Sequence, residues 1–284
     1  METTKDTKDT KKLPEPCLPD SFGCFVCFVV PLFHRDLGGA GLSPLVILHG
    51  MLGSSRNWQT AGRDLADAFH VLAPDLRNHG GSPHAESMSY AEMMDDVVAW
   101  LDARGIARAS FLGHSMGGKI AMLLACRRPE RVERLIVADI APKDYHWVAH
   151  RVNFAAMNEL ELASVHSRAE AEIRLEARVP NWAMRKFLAT NLERDDGGAW
   201  KWTINLPAIT AALSTLEKNP LTAGDRYDGP VLFVAGGKSD YIAAADHAAI
   251  RAHFPAARLA TIAESGHNPH METREKLVAL VRGA

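Results

Sequence analysis

Apolar runs and amphipathic stretches alternate along most of this chain. Pro44-Leu45-Val46-Ile47-Leu48, Val71-Leu72-Ala73-Pro74 and Arg134-Leu135-Ile136-Val137-Ala138 are apolar at nearly every position, and Arg108–Leu112 is partly so. Such runs predict strands of a parallel sheet, covered on both faces. Helix-length segments lie between them, at about Asn57–Phe69, at Ser89–Arg104 and at Met116–Cys126, which stops before Pro129. Ser89 and Glu92 stand at capping-box spacing, which marks where the second of these helices begins. Upstream, Cys24–Val30 and Leu32–Arg35 predict opening strands that lead into a turn at Asp36–Gly41. The rhythm breaks after Pro142. From Lys143 to Asp228 there is no apolar strand run, only helical pattern at Asn153–Leu162, Arg168–Arg178, Asn181–Asn191 and Pro207–Leu216. It resumes with Val231–Val234, a helix near Ala244–His253, a strand near Arg258–Ile262 and a last helix from about Thr273. The pattern predicts an α/β fold with a mostly parallel central sheet and helices on both faces. The expected organisation is a core of residues 21–142 and 229–284, an inserted helical cap of residues 143–228, and a disordered tail of residues 1–20.

Composition narrows the functional classes. At 284 residues the chain is long enough to bury a full core. A formal charge of -2 and no basic patch argue against a nucleic-acid partner. The thirteen histidines are scattered and lack metal-ligand spacing, so no metal and no cofactor are expected. Cys24 and Cys27 fall in an apolar run with no second pair downstream and read as buried thiols. Four cysteines in all point to a reducing, cytoplasmic compartment rather than a disulfide framework. No run is long enough for stable membrane insertion. The stretch Phe22–Phe33 imitates a signal peptide, but the acidic residues upstream, Pro31 and the lack of a small-residue cleavage site argue against secretion. The sequence leaves the oligomeric state open.

The chemistry gathers around Gly113-His114-Ser115-Met116-Gly117, which sits between a predicted strand and a predicted helix. This is the setting of a nucleophile elbow, in which a serine is thrown out on a strained turn and glycines clear the space on either side. A serine hydroxyl is unreactive until a neighbour takes its proton. Ser265-Gly266-His267 supplies a histidine on the loop after the last strand, where the imidazole can reach Ser115. His49-Gly50-Met51-Leu52-Gly53 supplies a glycine turn, and the amides of Met51 and Met116 are the expected oxyanion-hole donors. Two carboxylates compete for the third role: Asp139, at the end of the strand after the elbow helix, and Asp240, after the next-to-last strand.

The segments HGMLGSSRNW, DLRNHGGSPH, GHSMGGKIAMLLA, VADIAP and GHNPHME resemble the branch of serine α/β-hydrolases that contains the bacterial YbfF-type esterases and the animal abhydrolase-domain-11 proteins. The resemblance covers about Leu32 to the C-terminus. It implies a small cap and esterase or thioesterase activity on modest acyl chains, and it adds mitochondria as an alternative compartment. It also implies that Asp139 is the acid and that Ser239, where most of the wider family carries its acid, is a fourth member beside the His–Asp pair. Asp240, directly after Ser239, departs from that branch and keeps the alternative acid open.

The expectation is therefore a serine hydrolase that cleaves small-molecule carboxylic esters or thioesters through an acyl-enzyme. Ser115 would be the nucleophile, His267 the base and Asp139 the orienting acid. Leu52, His114 and Trp182 are expected to line the substrate pocket. His49 and His114 read as hydrogen-bonding supports rather than bases, and Arg77, Asn78 and His79 as loop scaffolding. The alternative reading is a non-catalytic ligand receptor or partner-binding protein on the same scaffold. A fluorophosphonate reagent separates the two, because it labels Ser115 only if that hydroxyl is activated.

Overall fold

The structure, a computed structural model, describes residues 29–284. The expected tail and residues 24–28 of the expected first strand lie outside the described residues. Val29 and Val30 belong to no strand.

Seven strands form the main sheet among the described residues: β1 (His34–Gly38), β2 (Pro44–Leu48), β3 (His70–Pro74), β4 (Ala109–His114), β5 (Val132–Ala138), β8 (Val231–Gly236) and β9 (Ala257–Ile262). Their spatial order is β1-β3-β2-β4-β5-β8-β9, with β1 antiparallel to β3 and every other neighbouring pair parallel. The strands bury alternate residues on opposite faces, as the two-residue period of a pleated strand requires. Leu45 and Ile47 of β2 pack with Trp58, with α1 (Gln59–Leu65) and with α10 (Arg274–Arg282). Val46 and Leu48 pack on the other face with α2 (Tyr90–Asp102) and α3 (Met116–Arg127). The Ser89 side chain accepts from Glu92 N at the start of α2, so the expected cap is present.

Parallel register places the functional ends of the strands together. His114 is level with Ala138, and Ala138 with Val234. Ser115, Asp139 and the end of β8 therefore emerge side by side at the carboxyl edge, where sites on such sheets collect. The strand before His267 is not adjacent to the elbow strand. β9 is the sheet edge, three strands from β4, and residues 263–266 span the gap.

The insertion between β5 and β8 differs from the all-helical expectation. It holds α4 (Val148–Glu159), α5 (Arg168–Arg174), α6 (Trp182–Ala189) and α7 (Leu206–Leu216), and also a two-stranded hairpin, β6 (Leu192–Arg194) with β7 (Trp200–Trp202). Three-residue strands are too short to show a period. Trp200 and Trp202 are half-buried against the small cluster of Val165, Ala171 and Leu192, so they serve packing. α8 (His247–His253) and a short α9 (Pro269–Glu272), which the sequence did not reveal, complete the described helices. No helix among the described residues is long and apolar enough to cross a membrane.

Candidate active site

Ser115 follows β4 and opens α3 with φ 51° and ψ −118°, a conformation that a residue with a side chain rarely holds. Its neighbours explain how the turn closes. A Cβ on Gly117 would lie 2.2 Å from the Leu48 carbonyl oxygen, and one on Gly113 would lie 2.4 Å from the Gly117 oxygen. Both obstacles are backbone, so no side-chain rearrangement can relieve them. Ser115 N donates to Ala138 O at 3.1 Å, which stitches the turn to β5.

Asp139 also has positive φ, at 51°, and its carboxylate is fully buried. Its Oδ1 accepts Gly236 N at 2.9 Å. Its Oδ2 accepts Ser239 Oγ at 2.5 Å and the Nδ1 of His267 at 2.8 Å. With Nδ1 as donor, Nε2 of His267 is left unprotonated and able to accept a proton. Asp240 is exposed. The geometry thus brings Asp139 and Ser239, not Asp240, to His267. The Tyr241 ring stacks on His267 with centroids 3.7 Å apart, a contact that no sequence signal announced.

His114 joins three pieces of the site. It precedes Ser115 in the chain, and its Nε2 donates to the His267 carbonyl oxygen at 2.7 Å. Its ring also lies against Gly50, where a Cβ would come within 2.8 Å of Nδ1. Two further histidines hold the glycine turn. His49 Nδ1 donates to Gly50 O at 2.8 Å and its Nε2 accepts Leu76 N at 2.9 Å. His79 Nδ1 donates to Arg77 O at 2.9 Å and its Nε2 accepts Leu52 N at 3.2 Å. Arg77 is buried against Asp96, to which Nε donates at 2.5 Å. Asp75 ties two loops together by accepting Ser55 N at 2.6 Å and Gly81 N at 2.8 Å.

Ser115 and His267 face one cavity of about 340 Å³, near the lower end of the range for small-molecule sites. Met51, Leu52 and His114 line it. Met116 is buried beside Ser115 at the first position of α3, where a backbone amide has no intrahelical acceptor. Trp182 is a correction. It begins α6 with 60% of its surface exposed, and the cavity is lined instead by its neighbours Asn181 and Ala183 and by Met184 and Phe187. Asn181 caps α6 by accepting Met184 N, and Trp182, the first residue of the helix, faces solvent. Sequence reasoning missed His150 and Asn153, three apart on α4, and His270 on α9, all of which line the cavity. The i, i+3 spacing was the available signal for the first pair. His270 stands in the GHNPHME segment and stacks on Trp58 at 4.2 Å. Burial pushes the thiol of Cys126 up to about 12, which disfavours the nucleophilic thiolate.

Burial keeps the supporting histidines neutral. It pushes His79 and His270 down to about 3 and His150 down to about 4, and it lowers His49 and His114 as well. Unfolded, each ring titrates near 6.5. As pH falls below 6.5 the unfolded chain takes up protons that the folded chain refuses, so stability is full above 6.5 and drains away toward pH 3–4. Each such ring adds up to about 1.4 kcal/mol per pH unit to the slope. Denaturant unfolding at pH 7.5, 6.5, 5.5 and 4.5 is expected to show a flat upper limb and a loss of several kcal/mol across the lower one. Equal stability at 7.5 and 4.5 would mean that these rings are charged in the fold.

A seven-stranded sheet with a single antiparallel edge, a strained serine after its central strand, and a carboxylate-held histidine define a hydrolase-type α/β scaffold. The comparisons place the chain within it. The family model described as alpha/beta hydrolase fold matches residues 43–273, and the chain belongs to that family. It is 38% identical to the sn-1-specific diacylglycerol lipase ABHD11 of Mus musculus, over 86% of this chain and 81% of that protein. It is 35% identical to the esterase YbfF of Escherichia coli (strain K12), over 84% of this chain and 92% of the relative. A solved structure described as a marine microorganism esterase matches with a TM-score of 0.86 at 35% identity, covering 89% of this chain and 98% of that one.

Proposed function

We propose that this chain hydrolyses carboxylic esters, thioesters included, of small to medium acyl chains through a serine acyl-enzyme. The observation that carries the reading is the buried Asp139 carboxylate holding His267 Nδ1 while Ser115, on its strained turn, faces the same cavity. Ser115 Oγ attacks the substrate carbonyl as His267 Nε2 takes its proton. Asp139 supports the imidazolium without itself becoming protonated. The amides of Met51 and Met116 receive the negative charge that develops on the carbonyl oxygen, a service worth about 3 kcal/mol per donor in comparable sites. Collapse expels the alcohol or thiol with the proton from His267. Water, activated by the same base, then releases the acid and restores Ser115. The relatives named as esterase and lipase support this reading. Ser239, bonded to Asp139 Oδ2, acts as a fourth member that shares the carboxylate with His267.

A panel of p-nitrophenyl esters from acetate to palmitate tests the substrate class. Turnover is expected to peak at short to medium chains, given a cavity of about 340 Å³, and to fall at least tenfold by palmitate. A rising trend up to palmitate would assign the site to long-chain esters. Inertness toward the whole panel, with no fluorophosphonate labelling of Ser115, would leave a ligand receptor.

A further inference from the structure

The inward face of α4 carries two polar residues where an amphipathic helix would place apolar ones. His150, Asn153, Phe154 and Met157 recur at helical spacing, and Phe154 and Met157 are packed in the core. Val148 and Val152, on the opposite face, are exposed. Asn153 is only 5% exposed, and with His150 it lines the cavity that Ser115 and His267 share. Neither side chain has a hydrogen-bond partner in the protein. Among the described residues the Asn153 amide and both ring nitrogens of His150 make no such bond, and His150 Nδ1 is buried. A buried polar group costs stability unless something bonds to it. Two of them, one helical turn apart on the wall of a reactive cavity, point to a ligand that does so.

We propose that His150 and Asn153 form a polar subsite that selects esters carrying a hydroxyl group beside the scissile carbonyl.

The chemistry of the cavity wall selects that group. The lining residues include no lysine or arginine, and their one carboxylate, Glu272, repels an anion. A carboxylate or phosphate on the substrate therefore finds no counter-charge. His150 does not supply one, because burial, and then the nearby His267, push it down to about 4 and keep it neutral. The same influence of His267 puts His150 beside the reacting groups rather than at a remote end of the cavity. A purely hydrocarbon substrate would leave both polar side chains unbonded. A neutral imidazole offers one donor and one acceptor, and an asparagine amide offers both kinds of atom. A hydroxyl donates and accepts at once, so one such group can bond to His150 and Asn153 together. His270 also keeps a buried nitrogen without a hydrogen bond, but its ring is packed against those of Trp58, at 4.2 Å, and His114, at 4.9 Å. It serves the packing of the wall.

This subsite rests on the proposed esterase reading, and its test uses pairs of esters in which a hydroxyl replaces a methyl of the same size. The hydroxyl can stand on either part of the ester, so there are two arms. In the alcohol arm 2-hydroxyethyl butanoate is compared with propyl butanoate, and in the acyl arm p-nitrophenyl 3-hydroxybutanoate with p-nitrophenyl 3-methylbutanoate. The parent is expected to favour the hydroxyl ester by at least about tenfold in kcat/KM in one arm, which then assigns the subsite to that part of the substrate. Asn153→Leu and His150→Leu are each expected to bring the ratio within about threefold of one. The ratio is taken within one protein, so partial misfolding of a variant cancels from it. No preference in either arm of the parent, or a preference that both variants retain, would overturn the subsite and leave the esterase reading standing. A parent inert toward all four esters would sink the esterase reading instead. Calorimetric titration of the Ser115→Ala protein with the two butanoates then decides the subsite by itself: tighter binding of the hydroxyl ester by about tenfold supports it, and equal binding or none overturns it.

Discussion

Ser115→Ala is expected to remove ester turnover by at least about 10⁴-fold while leaving the protein folded. The size of the loss follows from the role, since deleting the nucleophile of comparable serine enzymes costs about 10⁶ in kcat and leaves only the contribution of binding and the oxyanion donors. Retention of the fold follows from the structure. The strain at Ser115 is in the backbone, with φ 51°, and alanine bears it no worse than serine. The Ser115 side chain makes no capping bond to α3, so the helix keeps its start. Turnover of p-nitrophenyl acetate and a thermal melt check both halves of the expectation. Turnover within tenfold of the parent would place the nucleophile elsewhere.

Asp139→Asn is expected to lower kcat at least a hundredfold, and Asp240→Asn less than tenfold. Three donors converge on the Asp139 carboxylate: Gly236 N–H on one oxygen, and Ser239 O–H and His267 Nδ1–H on the other. Asparagine has one oxygen to offer. The Gly236 amide is fixed in the backbone and cannot accept, so that oxygen must stay with it, and the asparagine NH₂ then faces Ser239 and His267. Ser239 can turn to accept. His267 can accept only by moving its proton to Nε2, the atom that must act as base. In a serine protease the same exchange, which leaves the geometry intact but imposes the wrong tautomer, costs about 10⁴ in kcat. Asp240 is exposed and outside this arrangement. A pH–rate profile of Asp139→Asn alongside its melt distinguishes tautomer loss from unfolding. The reverse ranking of the two variants would move the acid to Asp240, and comparable partial losses would mean that both carboxylates share the work.

Much of this protein is determined locally and was therefore legible in the chain. β2, β3 and β5 are apolar at consecutive positions because both of their faces are covered, and that pattern survives in any register. The elbow is written in Gly113, Ser115 and Gly117 because a close approach of backbone to backbone excludes any Cβ. The start of α2 is written in Ser89 because its side chain satisfies an amide three residues away. The choice between Asp139 and Asp240 was not local. It depends on Ala138 lying level with Val234, a pairing of strands about a hundred residues apart that brings Gly236 N and Ser239 Oγ onto one carboxylate. The hairpin of β6 and β7 leaves no mark in the sequence because three-residue strands show no period and are stabilised by packing of Leu192 and the two tryptophans against Val165 and Ala171. Trp182 looked like a pocket wall because size and apolarity are all that a sequence reports about a tryptophan. Whether it faces the cavity or the solvent was decided by the rotation of α6 about its own axis, which Asn181 and the packing of Leu188 set only once the insertion has closed over the sheet.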